Sequence, residues 1–195
     1  MGFFKYYIWH IVFSVLILAC IIFLFISFTT TSSSDVLIGY IGTKYINIQT
    51  FEDSKAQFEI LLQDSNDDDK KTAYMVANIF DKQKDVDEAF ADAVDNYTYN
   101  IYIATKSTFE NFKDKSKFED AETYMNVNEK KHVVLKDSSG RVYAISIEDN
   151  EFTTSLGINE PEDLYIAVAA PEDAEDISQN IKNARNITQY LITEG

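Results

Sequence analysis

The sequence predicts an α/β protein. The expected architecture is a single N-terminal transmembrane helix plus a three-layer α/β/α domain, with a mainly parallel sheet of about five strands and a β-hairpin insertion. Three observations predict this. Ile8 to Phe28 is an apolar run of 21 residues, with His10 its only strongly polar member; about 20 such residues carry a helix across bilayer hydrocarbon. Beyond the run, strand-like apolar stretches alternate with stretches of helical period, the pattern of βαβ units and a parallel sheet. The charge is also split. No acid precedes Asp35, so all 32 Asp and Glu and 16 of the 17 Lys and Arg lie beyond the run, where the net charge is −16.

Taken in order, residues 1–7 are expected as a cytoplasmic tip, 8–28 as the membrane helix, 29–34 as a linker and 35–195 as an extracytoplasmic domain. Tyr6, Tyr7 and Trp9 sit at the near edge of the run, where aromatic rings prefer the headgroup level. Lys5 and the amino terminus stand on that side and Asp35 on the other, so the N-terminus is expected inside and the domain outside the cell membrane. Leu16-Ile17-Leu18-Ala19-Cys20 has the form of a lipobox, which makes Cys20 an alternative lipidation site. A lipobox cysteine ends its apolar run, whereas "IIFLFISF" continues past Cys20, and this favours an uncleaved anchor. "TTTSSS" at 29–34 is short and polar, as a linker is.

Within the domain, "DVLIGYIG" (35–42) is an apolar run closed by a turn signal and is expected as a strand. Thr50 to Leu62 is expected as a helix, with Thr50 and Asp53 at capping spacing. "TAYMVANIF" (72–80) is a second strand, apolar nearly throughout, as when helices cover both faces. Asp85 to Val94 is the clearest helix: Asp85 and Glu88 resemble a capping box, and Val86, Ala89, Phe90, Ala93 and Val94 share one face. "YNIYIA" (99–104) is a third strand. Ser107 and Glu110 form another capping signature that opens a long helix toward Met125. Two strand-like runs around Asp137-Ser-Ser-Gly140 predict the hairpin. "EFTTSLGI" is expected as a short helix capped by Gly157, "DLYIAVAA" as another strand, and Pro171 as the start of the last helix.

Composition removes several function classes. A strongly acidic domain repels phosphates, so nucleic acid is not an expected partner. The single cysteine lies inside the apolar run, so the domain has no disulfide and no thiolate metal site. Its one histidine, His132, follows Lys130 and Lys131 without a metal-partner pattern. No Gly-rich phosphate loop and no nucleophile elbow is present.

Several stretches together carry a resemblance: "KYYIWH" before the apolar run, "DVLIGYIGTKYI", "YNIYIAT" followed by a helix, "GRVYAISI", and the terminal "DLYIAVAAPEDAEDISQNIKNARNITQYL". The chain resembles small clostridial-type membrane-anchored proteins of unknown function, whose outer domain resembles one lobe of a type 2 periplasmic solute-binding protein. The resemblance implies that the second lobe is missing, since only about fifteen residues separate "GRVYAISI" from "DLYIAVAA". Solute-binding proteins trap ligand between two lobes that close about a hinge; a single lobe has no such closure.

Open α/β sheets bind ligands beyond the carboxyl ends of their strands. The candidate ligand-binding residues are therefore Gly42, Thr43 and Tyr45 after the first strand, Asp81 after the second, and Thr105 and Ser107 after the third. Each also has a plain structural role open to it: a turn for Gly42, a cap for Ser107, packing for Tyr45. Asp64, Asn66 and Asp68 occupy positions 1, 3 and 5 of a calcium loop, but position 6 is Asp69 rather than Gly and position 12 is Met75 rather than Glu. A weak Ca²⁺ site is thus set against a solvated loop, and no other cofactor is expected. Tyr97, Tyr99 and Tyr102 offer either a sugar-stacking surface or core packing. The expected function is a membrane-tethered extracytoplasmic binding or protein-interaction module without catalytic activity, with a small solute or a membrane protein as partner. An accessory or scaffold subunit of a membrane complex, and an enzyme using strand-end carboxylates, are the alternatives.

Overall fold

The computed structural model describes residues 34–66, 68–127, 132–147, 151–156, 163–171 and 178–194. Contacts divide the chain into two units, Met1–Ser33 and Ser34–Gly195, and the described residues belong to the second. The apolar run 8–28, Cys20 and the cap at Gly157 lie outside the described residues. No helix among the described residues is long and apolar enough to cross a membrane.

The elements are β1 (Val36–Gly42), α1 (Ile48–Leu61), β2 (Ala73–Ile79), α2 (Gln83–Asp95), β3 (Ile101–Thr105), α3 (Lys106–Asn111), β4 (Val134–Lys136), β5 (Val142–Ser146), α4 (Glu151–Ser155), β6 (Leu164–Val168) and α5 (Gln179–Glu194). They build an α/β fold around one six-stranded mixed sheet of order β2-β1-β3-β6-β5-β4. β1 pairs in parallel with β2 and β3, while the β3–β6, β6–β5 and β5–β4 junctions are antiparallel. The expected mainly parallel sheet is therefore corrected to a mixed one. Helices still follow β3 and β5, but the β4–β5 hairpin reverses the chain direction and β6 enters between β3 and β5 antiparallel to both. The β4–β5 hairpin is likewise no insertion: it forms the far edge of the same sheet.

The two sheet faces follow from the register. Val36, Ile38, Tyr40, Ile101, Ile103, Ile166 and Val168 share one face, and Gly39, Tyr102, Ala104, Tyr165 and Ala167 share the other. On the second face Phe90 of α2 meets Tyr102, and the Tyr102 hydroxyl donates to the Ala93 carbonyl at 2.8 Å. Phe90, Phe109, Phe112, Phe118 and Tyr143 continue this layer as edge-on and stacked ring pairs. Around α1, Phe58 stacks on Phe51 and meets Phe152 of α4 and Tyr190 of α5. Tyr99 and Tyr102 are thus core residues, which corrects the sugar-surface alternative for them.

Helix starts differ from the sequence expectation, and at α1 and α3 the reason is that short polar side chains compete for the cap. α1 begins at Ile48 with Asn47 as N-cap, its side chain accepting from the Gln49 amide, rather than at Thr50. α2 begins at Gln83, with no side-chain hydrogen bond from its cap residue Lys82; Asp85 lies in its first turn rather than capping it. α3 is capped by Thr105 rather than Ser107, and it ends at Asn111 instead of running to Met125. Two 3₁₀ turns follow, at Lys115–Lys117 and Ala121–Thr123, where Asp114 and Asp120 take the amides of Ser116 and Glu122. The Lys115 ammonium closes the end of α3, donating to the carbonyls of Phe109, Glu110 and Phe112. Described helix resumes at Gln179 rather than Pro171, which is not helical. β2 is an edge strand whose first four residues alternate buried and exposed, not a strand covered on both faces.

Candidate functional site

The parallel half of the sheet has the order β2-β1-β3, so the chain leaves β1 toward β2 and returns past it to β3. The switch between the two directions lies between β1 and β3, and ligands of open α/β sheets bind outside the strand ends at such a point. Tyr40 and Ile103 are paired, and two residues further on these strands end at Gly42 and Thr105. Two of the sequence-predicted residues are therefore brought to one point by the sheet itself.

Their environments differ. Gly42 is buried, its carbonyl accepts from the Phe80 amide at 3.0 Å, and a Cβ there would lie 2.5 Å from the Tyr40 hydroxyl oxygen. The Tyr40 ring thus fills the space beside Gly42, and its hydroxyl donates to the Lys44 carbonyl at 3.1 Å. Thr43, Asp81 and Ser107 are exposed, and Tyr45 is 82% exposed. Thr105 is half-buried at the head of a hydroxyl cluster: its Oγ1 lies 3.0 Å from both Ser107 Oγ and Thr108 Oγ1.

Four residues that the sequence reading did not single out complete this network. Gln83 Nε2 donates to Thr108 Oγ1 and to Asp87 Oδ1, each at 2.8 Å, and Asn111 Nδ2 donates to Asp87 Oδ2 at 2.9 Å. The signal in the sequence was faint: Gln83 and Asp87 stand four apart on one helix, Thr108 and Asn111 three apart on the next. Asp87 and Asn111 of this network also line a cleft of about 270 Å³, together with Ala91, Asp95, Phe112, Lys113 and Asp114. The Ser116 hydroxyl, donating to Asp114 at 2.5 Å, holds that carboxyl below its usual range. With three acids against Lys113, the cleft presents a negative field suited to cationic groups.

The predicted calcium residues engage their own loop. Asp64 accepts from the amides of Asn66 (3.1 Å) and Asp69 (2.8 Å), Asn66 from Asp68 (3.2 Å), and Asp68 from Lys70 (2.9 Å). Asp69, where a calcium loop has Gly, takes the left-handed conformation at φ 60°. No group of three or more His, Cys, Asp or Glu among the described residues is arranged to hold a metal ion. Nearby, Asp35 is a fully buried acid. It accepts from the Ser65 amide (2.6 Å) and hydroxyl (2.8 Å) and from the Thr72 amide (2.7 Å), tying this loop to the start of β1. His132 is half-buried, ahead of β4.

A second, more open depression of about 510 Å³ is lined by residues 122–127 and Gln189. Beside it, Arg185 of α5 grips Glu119 with two hydrogen bonds of 2.6 Å, and the guanidinium lies 5.6 Å from the Tyr124 ring centre. Comparison with protein-family models, with curated proteins and with solved structures found no match.

Proposed function

We propose that the chain is a membrane-tethered extracytoplasmic interaction module without catalytic activity, anchored through residues 8–28. The likeness to one lobe of a solute-binding protein belongs to this proposal. One observation carries it. Of the seven large apolar side chains left exposed among the described residues, six (Tyr45, Ile48, Ile60, Tyr74, Val76 and Ile79) come from the β1–α1–β2 unit at one edge of the sheet, and only Val133, ahead of β4, lies elsewhere. On a chain of net charge −15, apolar groups gathered on one structural unit mark a contact surface. The enzyme alternative has less support. A carboxyl acting as general acid needs a raised pKa, whereas Asp81 is exposed and Asp114 is shifted the opposite way.

The test uses the full chain in cells, with a photo-crosslinking residue at Tyr45 or Ile60 and a control at Lys84. The expected result is protein that stays in carbonate-washed membranes, a domain digested by protease added outside, and adducts at Tyr45 and Ile60 but not at Lys84. Protein found in the soluble fraction, or adducts at neither apolar position, would overturn the reading.

A further inference from the structure

The two edges of the sheet are built differently. At one end β4 is three residues long and carries a register shift between Leu135 and Lys136, features that blunt an edge against pairing. At the other end β2 is seven residues long and contains no charged residue, and Tyr74, Val76 and Ile79 are 40%, 38% and 39% exposed. The Lys55 ammonium lies over the Tyr74 ring at 4.2 Å, with its charge matched by Glu52 at 3.7 Å. Backbone parity shows which groups are open. Thr72 O accepts from Val36 N, and Phe80 N donates to Gly42 O. Even-numbered residues therefore turn toward β1, and Ala73, Met75, Ala77 and Ile79 turn their amides and carbonyls outward, where no described strand takes them.

We infer that this edge pairs with the same edge of a second copy of the chain, antiparallel, about a two-fold axis at Val76. That register overlaps the whole strand. It sets Ala73 opposite Ile79 and Met75 opposite Ala77, so every outward-facing residue meets another as a hydrogen-bonded pair. It also sets Lys71 opposite Asp81 at both ends, two exposed and oppositely charged residues. Lys70 meets Lys82 further out, where water screens the like charges. Because the chain as a whole repels its copy, the occupant is admitted by an uncharged strip with opposite charges at its two ends, and β2 is self-complementary in that sense. The inference goes beyond the module reading, naming a surface and its partner.

Val76 at the two-fold forms a non-hydrogen-bonded pair, with Cα atoms about 4.5 Å apart, within the span of a disulfide. The experiment oxidises the full chain in its membrane, carrying Cys20→Ser with Val76→Cys. A disulfide-linked dimer is expected, forming at least ten times faster than with Tyr74→Cys, whose two copies stand four residues out of register, about 13 Å apart. Co-expressed Tyr74→Cys and Asn78→Cys chains should cross-link to each other. Lys71→Asp should slow the Val76→Cys reaction several-fold, and Lys71→Asp with Asp81→Lys should restore it. Equal rates at positions 74 and 76 would overturn the pairing. Cross-linking of Val76→Cys to a different protein would overturn the second copy as occupant while leaving the interaction module standing.

Discussion

Asp35 shows how one residue's meaning changes with its surroundings. In the sequence it is the first acid beyond an apolar run and marks the outer side. In the fold it is a fully buried carboxylate held by amide and hydroxyl donors of Ser65 and Thr72. Removing the acceptor leaves those donors without a partner. Asp35→Ala is expected to cost about 3 kcal/mol, and Asp81→Ala, at an exposed position, less than about 0.5 kcal/mol. Urea denaturation of the 34–195 unit checks both, and equal effects would show that the clamp is unimportant. Tyr143 gives a pH dependence. Burial pushes its phenol from 10.0 up to about 12, so between those values the unfolded chain releases the proton and the folded chain keeps it. Stability then falls as pH rises through that window. Tyr102 and Tyr124, also raised by burial, act in the same direction; Lys115, lowered by burial, acts in the opposite one. Tyr143→Phe should therefore show a shallower loss of stability between pH 10 and 12 than the parent chain, and an unchanged slope would refute the assignment.

At the scale of elements, β1 is held in place by close contact. A Cβ at Gly39 would lie 2.3 Å from the Tyr99 ring, so β1 admits no side chain at the point where Tyr99 crosses it. Gly39→Ala is expected to destabilise by about 2 kcal/mol through overpacking. Tyr99→Ala opens the space, so the double variant should be less destabilised than the sum of the two single changes, as a double-mutant cycle of unfolding energies would show. A sum without coupling would place the strain elsewhere. The loop between α3 and β4 depends on a second set of contacts. Arg141 reaches the Lys115 and Phe118 carbonyls and Asp137, and Arg185 grips Glu119. Arg185→Met leaves Glu119, only 12% exposed at its side chain, without its cation. A loss of about 1–2 kcal/mol is expected, discounted for the partial exposure of the pair.

For the molecule as a whole, the core lies between the sheet and helices within the Ser34–Gly195 unit. That unit, expressed alone, is expected to unfold in one cooperative transition with a midpoint matching that of the domain in the full chain. A non-cooperative transition would mean that residues 1–33 contribute to the fold. The whole-molecule view also changes the candidate site. Gly42 and Thr105 come together because β1 and β3 are neighbours, whereas Tyr45 and Ile60 belong to the exposed apolar set on the β1–α1–β2 unit.

Read alone, the sequence carries the α/β class, the presence and approximate place of the strands, the acidic character of the domain and the apolar face of α2. These follow from hydrophobic period and composition, which are local properties of the chain. It did not determine helix starts, because Asn47, Thr105, Asp114 and Asp120 compete with neighbouring polar residues for the same amides and only the folded backbone selects among them. Strand direction after β3 and the burial of Asp35 were decided by tertiary structure alone. So was the network of Gln83, Asp87, Thr108 and Asn111, whose partners stand 24 to 25 residues apart in the chain. The edge position of β2 belongs here too. The same seven apolar and uncharged residues would serve a central strand, and only the order β2-β1-β3 leaves one side of them open.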